Sequence, residues 1–312
     1  MMDLAAFANR LRKNQRHWRK WARRRHITCY RLYDRDIPEF PLAIDWYQGS
    51  VHAQVFARKG LEPLDEAEER LIGEKIREVL QIPGHALAFK TRQRQRGLNQ
   101  YQKTGESGRP LIVEEGGLRF EVDLYRYLDT GLFLDHRNTR AIVRERAAGK
   151  RVLNLFAYTG GFSVYAAAGG AHASVSVDLS NTYQDRTRRN LQLNGFADPR
   201  HELVRDDVFS YLDRAVRERR QFGLIVLDPP SFSNSKKMLE ILDVQRDHPR
   251  LIEACLRLLT PSGELIFSTN RRQFKLDPAL EAQTRSEEIT RQTLPEDFQR
   301  HPPHRCWIFR NA

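Results

Sequence analysis

Residues 151–180 read RVLNLFAYTGGFSVYAAAGGAHASVSVDLS, and this stretch decides the fold. Val152 to Phe156 is a short apolar run that ends at a turn, which predicts a strand buried on both faces. The turn Thr159-Gly160-Gly161 is followed by a short helix, Phe162 to Ala168, and by a second apolar run, Ala173 to Val177. Strand, glycine turn, helix and strand in this order predict an α/β fold with an open parallel sheet.

Asp178 comes directly after the second predicted strand, 18 residues after Gly160. Ligands of open parallel sheets lie beyond the carboxyl ends of the strands, so this carboxylate is placed to accept both ribose hydroxyls of a nucleoside. A dinucleotide fold would show G-x-G-x-x-G, whereas the turn here reads NLFAYTGG and lacks the first glycine. The spacing resembles the motif that holds S-adenosylmethionine in class I methyltransferases. The alternative is an ordinary βαβ unit without a ligand.

Two more predicted strands end in acidic residues. The third precedes Asp207, and the fourth, FGLIVL at 222–227, is the most apolar and should be central. Three acids at successive strand ends match a nucleoside site, in which Asp178 takes the ribose and Asp207 the adenine amino group. The fourth strand leads into DPPSF, a stiff loop where a methyl group would meet its acceptor and an aromatic face could stack a flipped-out base. The alternative is a rigid turn; the catalytic residues expected here are Asp228, Pro229, Pro230 and Phe232.

The cysteines bear on the identity of the methyl acceptor. Cys29, Cys255 and Cys306 are far apart and form no C-x-x-C pair, so we expect no metal and a reduced cytoplasmic setting. Methylation of a pyrimidine C5 needs a cysteine nucleophile, which the loops DPPSFSNS and FSTNRRQF lack. Guanine N7 has a lone pair and needs only positioning. Methylation of an exocyclic amine (adenine N6 or guanine N2) and a non-catalytic RNA-binding assembly factor remain the alternatives.

The net charge of +12 is concentrated in two segments of the 312-residue chain. Residues 1–26 carry +8 and residues 90–109 carry +5, so the remainder carries −1. Such a distribution is typical of binding to a polyanion, here RNA. No apolar run approaches the roughly 18 residues of a membrane span, and no signal peptide is apparent, so we expect no membrane association.

The pattern of apolar residues predicts three parts. Residues 1–26 form a basic amphipathic helix capped by Asp3, and 27–124 form a small α+β domain with antiparallel strands, a helix at 64–80 and a hairpin across Gly116-Gly117. Residues 125–312 form the Rossmann-like domain, with a further helix near 280–288 and a last strand at 306–310. The expected RNA contacts lie in the basic helix and in the polar segment at 90–110: Arg12, Lys13, Arg16, Lys90, Arg92, Arg94, Arg96, Asn99, Tyr101 and Lys103.

Nearly end to end, the chain resembles a known family, the C-terminal guanine-N7 methyltransferase half of the bifunctional bacterial 23S ribosomal RNA methyltransferases. The matching stretches are ANRLRKN (8–14), TCYRLYD (28–34), KTRQRQRGLNQYQK (90–103), YLDTGLFLDHR (127–137), LNLFAYTG (153–160), DPPSFSNSK (228–236), DVQRDH (243–248) and CW (306–307).

The resemblance implies S-adenosylmethionine as methyl donor, N7 of a guanine in 23S rRNA or a large-subunit precursor as acceptor, and cofactor contacts from residues 131–137. A related group methylates cytosine C5 on the same body, but with a catalytic cysteine that this chain lacks. With the strand ends, the expected cofactor residues are Phe133, Leu134, Asp135, Arg137, Asn154, Phe156, Tyr158, Thr159, Gly160, Asp178, Leu179, Ser180, Asp207 and Asp228.

The chain departs from that family at its N-terminus. The bifunctional proteins carry an RNA-binding module and a second methyltransferase half before the region that corresponds to the basic helix. A separate chain that supplies this missing half is therefore considered as a partner.

Overall fold

A computed structural model of the chain describes residues 2–56, 64–91, 110–126, 129–233 and 241–311. The chain forms two compact units. Unit 1 consists of Met1–Thr130 and Glu296–His301, and unit 2 of Gly131–Pro295 and Pro302–Ala312.

Unit 1 is built on a four-stranded sheet in the order β1-β2-β3-β4. The first three strands pair antiparallel, as predicted, whereas β4 pairs parallel to β3 because helix α2 separates them in the chain. Strands β5 and β6 form a separate hairpin across Gly116-Gly117, which confirms that prediction. The elements are α1 (Leu4–Arg24), β1 (Cys29–Asp34), β2 (Leu42–Tyr47), β3 (Ser50–Val55), α2 (Glu66–Leu80), β4 (Leu87–Thr91), β5 (Pro110–Glu115) and β6 (Leu118–Asp123).

Helix α1 belongs to the core of unit 1. Asp3 caps it by accepting a hydrogen bond from the backbone N–H of Ala6 at 2.9 Å, as predicted. Phe7 is fully buried and stacks on Phe40 with 4.5 Å between ring centroids. The predicted separate segment 1–26 is therefore integrated by its apolar face, and unit 1 runs on to Thr130 rather than ending at residue 124.

Unit 2 contains a seven-stranded mixed sheet in the order β14-β15-β13-β10-β7-β8-β9. The fully buried β10 is its middle strand, as its apolar sequence predicts. The strands are β7 (Arg151–Leu155), β8 (Ala173–Val177), β9 (His201–Val204), β10 (Phe222–Leu227), β13 (Leu259–Thr269), β14 (Arg285–Glu288) and β15 (Arg305–Arg310). A small hairpin, β11 (Phe232–Ser233) and β12 (Leu242–Asp243), follows β10 in the chain.

Helices cover the sheet of unit 2, and alternate residues of its central strand enter two separate cores. Ile225 and Leu227 pack in one core, and Leu224 and Val226 pack in the other. The predicted helix near 280–288 is wrong beyond Gln283, because residues 285–288 form β14 along the edge of β15. The helices are α3 (Arg137–Arg146), α4 (Gly161–Ala168), α5 (Asn181–Leu193), α6 (Val208–Arg217), α7 (Val244–Arg257), α8 (Pro278–Gln283) and α9 (Thr290–Thr293).

In the described parts of the chain, no helix combines the length and apolar composition that a membrane span requires.

Candidate active site

The carboxyl ends of five parallel strands define one edge of the sheet in unit 2. Strands β9, β8, β7, β10 and β13 run in the same direction, so the residues that follow them collect at this edge. Asp178 follows β8, Asp207 lies just after β9, and Asp228 follows β10. The structure thus brings to one edge the three acids that the sequence singled out.

The loop after β7, residues 156–160, has a strained backbone that its surroundings hold in place. Phe156 and Tyr158 have positive φ angles of 56° and 52°, which non-glycine residues rarely adopt. The backbone N–H of Tyr158 donates to Oδ2 of Asp178 at 2.9 Å, and Thr159 Oγ1 donates to the carbonyl oxygen of Gly131 at 2.6 Å. These bonds offset a strain of about 1–3 kcal/mol per residue and preorganise the loop.

Helix α5 supports the same loop with two residues that sequence reasoning missed. The Thr187 hydroxyl lies 3.1 Å from the carbonyl oxygen of Tyr158, and Asn190 Nδ2 donates to the carbonyl oxygen of Thr159 at 2.8 Å. Their spacing of three residues on a helix that follows the second strand was the available signal. A Cβ atom at Gly160 would meet Thr187, so the packing of α5 by itself requires a glycine here, and the predicted contact of Gly160 with the cofactor stays a prediction.

The carboxylate of Asp178 is largely withdrawn from water. Its two oxygens accept backbone hydrogen bonds at 2.9 Å, one from Tyr158 and one from Ser180. Burial outweighs these bonds and raises the pKa of Asp178 to about 6. Each oxygen retains a lone pair, so the ionised carboxylate can accept two further hydrogen bonds. Of its neighbours, Leu179 is partly buried, and Ser180 caps α5 by accepting from the N–H of Tyr183 at 3.4 Å.

Asp207 and Asp228 are held by different partners. Asp207 is buried and caps α6, where Oδ1 accepts from the backbone N–H of Ser210 at 3.2 Å. Asp228 Oδ1 accepts a hydrogen bond of 2.6 Å from Oγ of Ser268, a fully buried residue of β13 that sequence reasoning missed. The second oxygen of Asp228 lies 3.6 Å from Nε2 of His136. Ser268 therefore fixes the orientation of the Asp228 carboxylate.

A buried cluster of Asp135, His136 and His304 lies behind Asp228. Nδ1 of His304 is 3.1 Å from Oδ2 of Asp135, and its Nε2 is 3.0 Å from the Thr293 hydroxyl. The rings of His136 and His304 stack with 4.2 Å between centroids, and burial holds the pKa of His136 below its ordinary value. The ligand atoms of the three residues lie within 4.8 Å of one another, a spacing that a metal ion could also bridge. Hydrogen bonding already accounts for both nitrogens of His304, so the absence of a metal stays our prediction.

Aromatic rings line the edge of the sheet near the loop. Phe133 is 42% exposed, and its ring centroid lies 5.0 Å from that of Tyr158, which in turn contacts Tyr183 at 4.6 Å. By contrast, Leu134 and Arg137 from the same predicted segment are buried. Phe133 and Tyr158 therefore present the surface on which a planar group can pack.

Asn154 lies inside the sheet, in the middle of β7. Its Nδ2 donates to Oγ of Ser163 at 2.9 Å, and this hydroxyl lies 2.7 Å from that of Ser176. The three polar groups link β7, α4 and β8, so Asn154 stabilises the frame beneath the loop. Its predicted contact with a cofactor is not among these bonds and stays a prediction.

The DPPSF loop joins β10 to the small hairpin. Pro229 is buried and Pro230 is partly buried, whereas the ring of Phe232 is 52% exposed. The backbone N–H of Val244 donates to the carbonyl oxygen of Ser231 at 3.2 Å and closes the base of the hairpin. The loop therefore exposes an aromatic ring four residues after Asp228 in the chain, and the predicted stacking of a base on this ring stays a prediction.

Comparison with a family model decides the identity of the fold. Residues 25–302 match the S-adenosylmethionine-dependent methyltransferase model. The chain belongs to this family. S-adenosylmethionine is accordingly the cofactor of the methyltransferase, as the sequence analysis expected.

Two curated relatives and one solved structure illustrate what the methyltransferase is similar to. It is 52% identical to the Ribosomal RNA large subunit methyltransferase K of Neisseria meningitidis, over the whole chain and 88% of that protein. It is 50% identical to the Ribosomal RNA large subunit methyltransferase K/L of Methylococcus capsulatus, over 96% of the chain but only 42% of that protein. The crystal structure of SMU.776 complexed with SAH matches with a TM-score of 0.83 and 27% identity, over 99% of the chain and 82% of that structure.

The residues at the strand ends fit this cofactor. Asp178 offers an oriented carboxylate for vicinal hydroxyls, and Phe133 and Tyr158 offer rings for packing against a planar group. The loop at 156–160, which contains Tyr158, lies between Phe133 and Asp178 in the chain. Its backbone groups lie at the same edge of the sheet. When bound, the cofactor supplies a methyl group on a positively charged sulfur.

The structure describes only some of the residues predicted to contact RNA. On α1, Lys13 and Arg16 are exposed, whereas Arg12 is partly buried and pairs with Glu78 at 3.4 Å. Lys90 donates from Nζ to the carbonyl oxygen of Tyr125 at 3.2 Å. The remaining predicted contacts lie outside the described residues: Arg92, Arg94, Arg96, Asn99, Tyr101 and Lys103.

Proposed function

We propose that the methyltransferase transfers a methyl group from S-adenosylmethionine to N7 of a guanine in 23S rRNA. The named relatives act on large-subunit ribosomal RNA, and the matched region covers the chain from residue 25 to residue 302. Because the chain spans less than half of the bifunctional relative, its RNA substrate is part of this proposal.

The inaccessibility of the thiols argues against a pyrimidine C5 as the acceptor atom. Cys29, Cys255 and Cys306 are all buried, and burial raises the pKa of the Cys255 and Cys306 thiols well above the ordinary range. A buried protonated thiol cannot attack a pyrimidine ring, so covalent C5 chemistry is disfavoured. Guanine N7 needs no covalent activation, because its lone pair attacks the methyl group directly.

The residues of the site then act by positioning. In-line displacement requires the acceptor nitrogen to lie about 3 Å from the methyl carbon, in a pocket from which water is excluded. We expect Asp228, whose carboxylate is oriented by Ser268, to accept hydrogen bonds from the base, and the exposed ring of Phe232 to stack on it. N7 carries no proton, so the transfer needs no general base. An exocyclic amine would need to lose a proton, which makes it the second candidate for the Asp228 loop.

The cationic face of α1 supports RNA as the substrate. The exposed Lys13 and Arg16 lie opposite the buried apolar face of the helix, where they can neutralise phosphates without reading sequence.

Comparison of 23S rRNA from a deletion strain and its parent tests the proposal. We expect 7-methylguanosine to disappear from nucleoside digests of the deletion strain, and to return with the wild-type gene but not with Asp228→Ala. Loss of N6-methyladenosine or N2-methylguanosine instead would move the reaction to an exocyclic amine. Unchanged rRNA in the deletion strain would favour the assembly-factor alternative.

Assay of the purified chain addresses the partner. Incubation with S-adenosylmethionine and unmethylated 23S rRNA, or with large-subunit precursors, measures transfer in the absence of other proteins. Activity of the purified chain alone would contradict the need for a separate chain that supplies a second half.

A further inference from the structure

We propose that unit 2 carries its own contact surface for single-stranded RNA, formed by the hairpin β11–β12 and residues 270–276. This inference rests on the proposed function, since it gives the RNA substrate a second contact besides the cationic helix of unit 1. The exposed residues that define this hairpin surface are Phe232, Ile241, Arg272 and Lys275.

The hairpin surface has an apolar part. Phe232 is 52% exposed and Ile241 is 54% exposed, although side chains of this size are normally buried. Phe232 pairs with Asp243 across the hairpin, and Ile241 directly precedes β12. An exposed aromatic ring suits stacking of a nucleobase, because every base has a π face, and an exposed aliphatic side chain next to the same strand pair adds apolar surface.

The hairpin surface also has a cationic part. Residues 270–276 read NRRQFKL and contain three cations and no acid. Arg271 is neutralised by Asp243, with 2.7 Å between Nη1 and Oδ1. Arg272 and Lys275 are exposed, and neither side chain has a hydrogen bond or ion pair with any residue that the structure describes. Two such cations, on a segment that is bonded through Arg271 to the strand that follows Ile241, are suited to the phosphates of single-stranded RNA.

Hydrogen bonds fix segment 270–276 in position before any RNA arrives. The side chain of Gln245 donates to the carbonyl oxygen of Lys275 at 2.8 Å and accepts from its N–H at 2.9 Å. Arg305 donates to the carbonyl oxygen of Phe274 at 3.0 Å, and the ring of Phe274 is buried against Trp307. Little backbone entropy is therefore lost when this surface binds a partner.

The hairpin surface is connected to the loop that carries Asp228. Phe232 follows Asp228 by four residues, and Ser231 Oγ donates to Oδ1 of Asn270 at 2.5 Å, which links the acceptor loop to the cationic segment. The cationic segment is therefore bonded to the same loop that carries Asp228. This location favours the RNA flanking the target guanine as the occupant over an acidic protein segment.

A charge-matched pair of double variants tests the inference in the full chain. Arg272→Ala/Lys275→Ala removes the two exposed cations of the surface. Arg217→Ala/Arg257→Ala removes two exposed arginines from the last turns of α6 and α7, which precede the amino ends of β10 and β13 at the opposite edge of the sheet. The probes are unmethylated 23S rRNA and a short oligouridine.

We expect Arg272→Ala/Lys275→Ala to weaken binding of both RNA probes about tenfold at low salt. The slope of log affinity against log salt should fall by about 1.4, or about 0.7 for each lost phosphate contact. S-adenosylmethionine affinity should stay at the wild-type value, and the control variant should keep its RNA affinity. Ile241→Ser should weaken oligouridine binding without changing the salt slope, because it removes no charge.

Three results would overturn the inference. The first is wild-type RNA affinity in Arg272→Ala/Lys275→Ala, and the second is an equal loss in the control variant. The third concerns a polyglutamate probe: if Arg272→Ala/Lys275→Ala loses binding to polyglutamate but keeps wild-type RNA affinity, the surface belongs to an acidic protein. Failure of the proposed function is distinguishable, because wild-type protein would then form no 7-methylguanosine in unmethylated 23S rRNA.

Discussion

Gly160 and Thr187 are packed so closely that a side chain on Gly160 has no room. A Cβ atom at Gly160 would lie 2.4 Å from Cγ2 of Thr187, and the glycine has a φ angle of +76°. Thr187 is buried on α5 and reaches the loop through the carbonyl oxygen of Tyr158. The close packing of helix α5 against the loop after β7 therefore depends on glycine at position 160.

Gly160→Ala should destabilise unit 2 by about 2–4 kcal/mol, because strain at a positive φ adds to overpacking. Gly195→Ala is a matched control, since Gly195 has the same φ of +76° in the same unit and a Cβ atom there would meet nothing within 4 Å. The control should lose only about 1–2 kcal/mol. Chemical denaturation measures both, and equal losses would contradict the role of Thr187.

Cofactor affinity should fall at acidic pH because of Asp178, whose pKa is raised to about 6. Ribose hydroxyls donate best to the ionised carboxylate, so the dissociation constant at pH 5 should be about tenfold higher than at pH 7.5. Calorimetry over this range measures the change. Asp178→Asn should bind more weakly throughout and show a flatter pH profile; an unchanged profile would show that another group titrates.

The contribution of Asp178 to the free energy of unfolding depends on pH in the opposite direction to that of most acidic residues. Its folded pKa of about 6 lies above the ordinary value of 3.8, so the folded state holds the proton more tightly. The contribution is fully present below about pH 3.8 and is lost as the pH rises through about 6. In the cofactor-free protein, Asp178→Asn should therefore gain stability relative to wild type as the pH rises between those two values, as measured by denaturation.

Ser268→Ala should lower kcat about tenfold while leaving the KM for S-adenosylmethionine nearly unchanged. The variant removes the donor to Asp228, a hydrogen bond to a charged group that is worth about 1.5–3 kcal/mol. Ser174→Ala is the control, because Ser174 is also buried in the sheet but bonds His201 at the amino end of β8. A similar fall in kcat for both variants would reduce the role of Ser268 to packing.

Removal of metal ions should leave the enzyme unaffected. Both nitrogens of His304 have hydrogen-bond partners within the protein, Asp135 and Thr293, which supports the prediction that the cluster holds no ion. Dialysis against a chelator should change neither cofactor binding nor methyl transfer. Loss of activity that zinc restores would instead identify Asp135, His136 and His304 as a metal site.

The polar segment at 90–110 should contribute to RNA affinity. Replacing Arg92, Arg94 and Arg96 with alanine should weaken RNA binding and flatten its salt dependence, while cofactor affinity stays at the wild-type value. The control replaces Arg217, Arg219 and Arg257, which are exposed arginines of unit 2. Unchanged RNA affinity in the first variant would contradict a contribution of this segment to RNA binding.

Local signals explain which parts of the fold could be predicted. The unit from β7 to Asp178 is encoded within thirty consecutive residues, and the apolar sequence of β10 marks it as central. By contrast, residues 285–288 read RSEE and carry no strand signal. They become β14 because the backbone of β15 offers hydrogen bonds, which is a tertiary effect that overrides local propensity.

Some residues of the candidate site could likewise be predicted from the sequence, whereas others could not. The acids at the strand ends are visible in the sequence because the direction of parallel strands places them at one edge. Ser268 also lies at the carboxyl end of a parallel strand, but neither its bond to Asp228 nor that of His304 to Asp135 has a local signal, since the partners lie far apart in the chain. The pairing of β13 with β10 and of β15 with β13 brings them there.

The position of β15 has a consequence for synthesis on the ribosome. The strand inserts between β13 and β14 and arrives after the chain has contributed Glu296–His301 to unit 1. Until residues 305–310 emerge, β13 has an unpaired flank and His304 has not yet reached Asp135. The sheet of unit 2 therefore cannot be completed until the end of the chain has been synthesised. Translation that stalls before β15 leaves a sheet with unpaired strand edges, which are prone to aggregation.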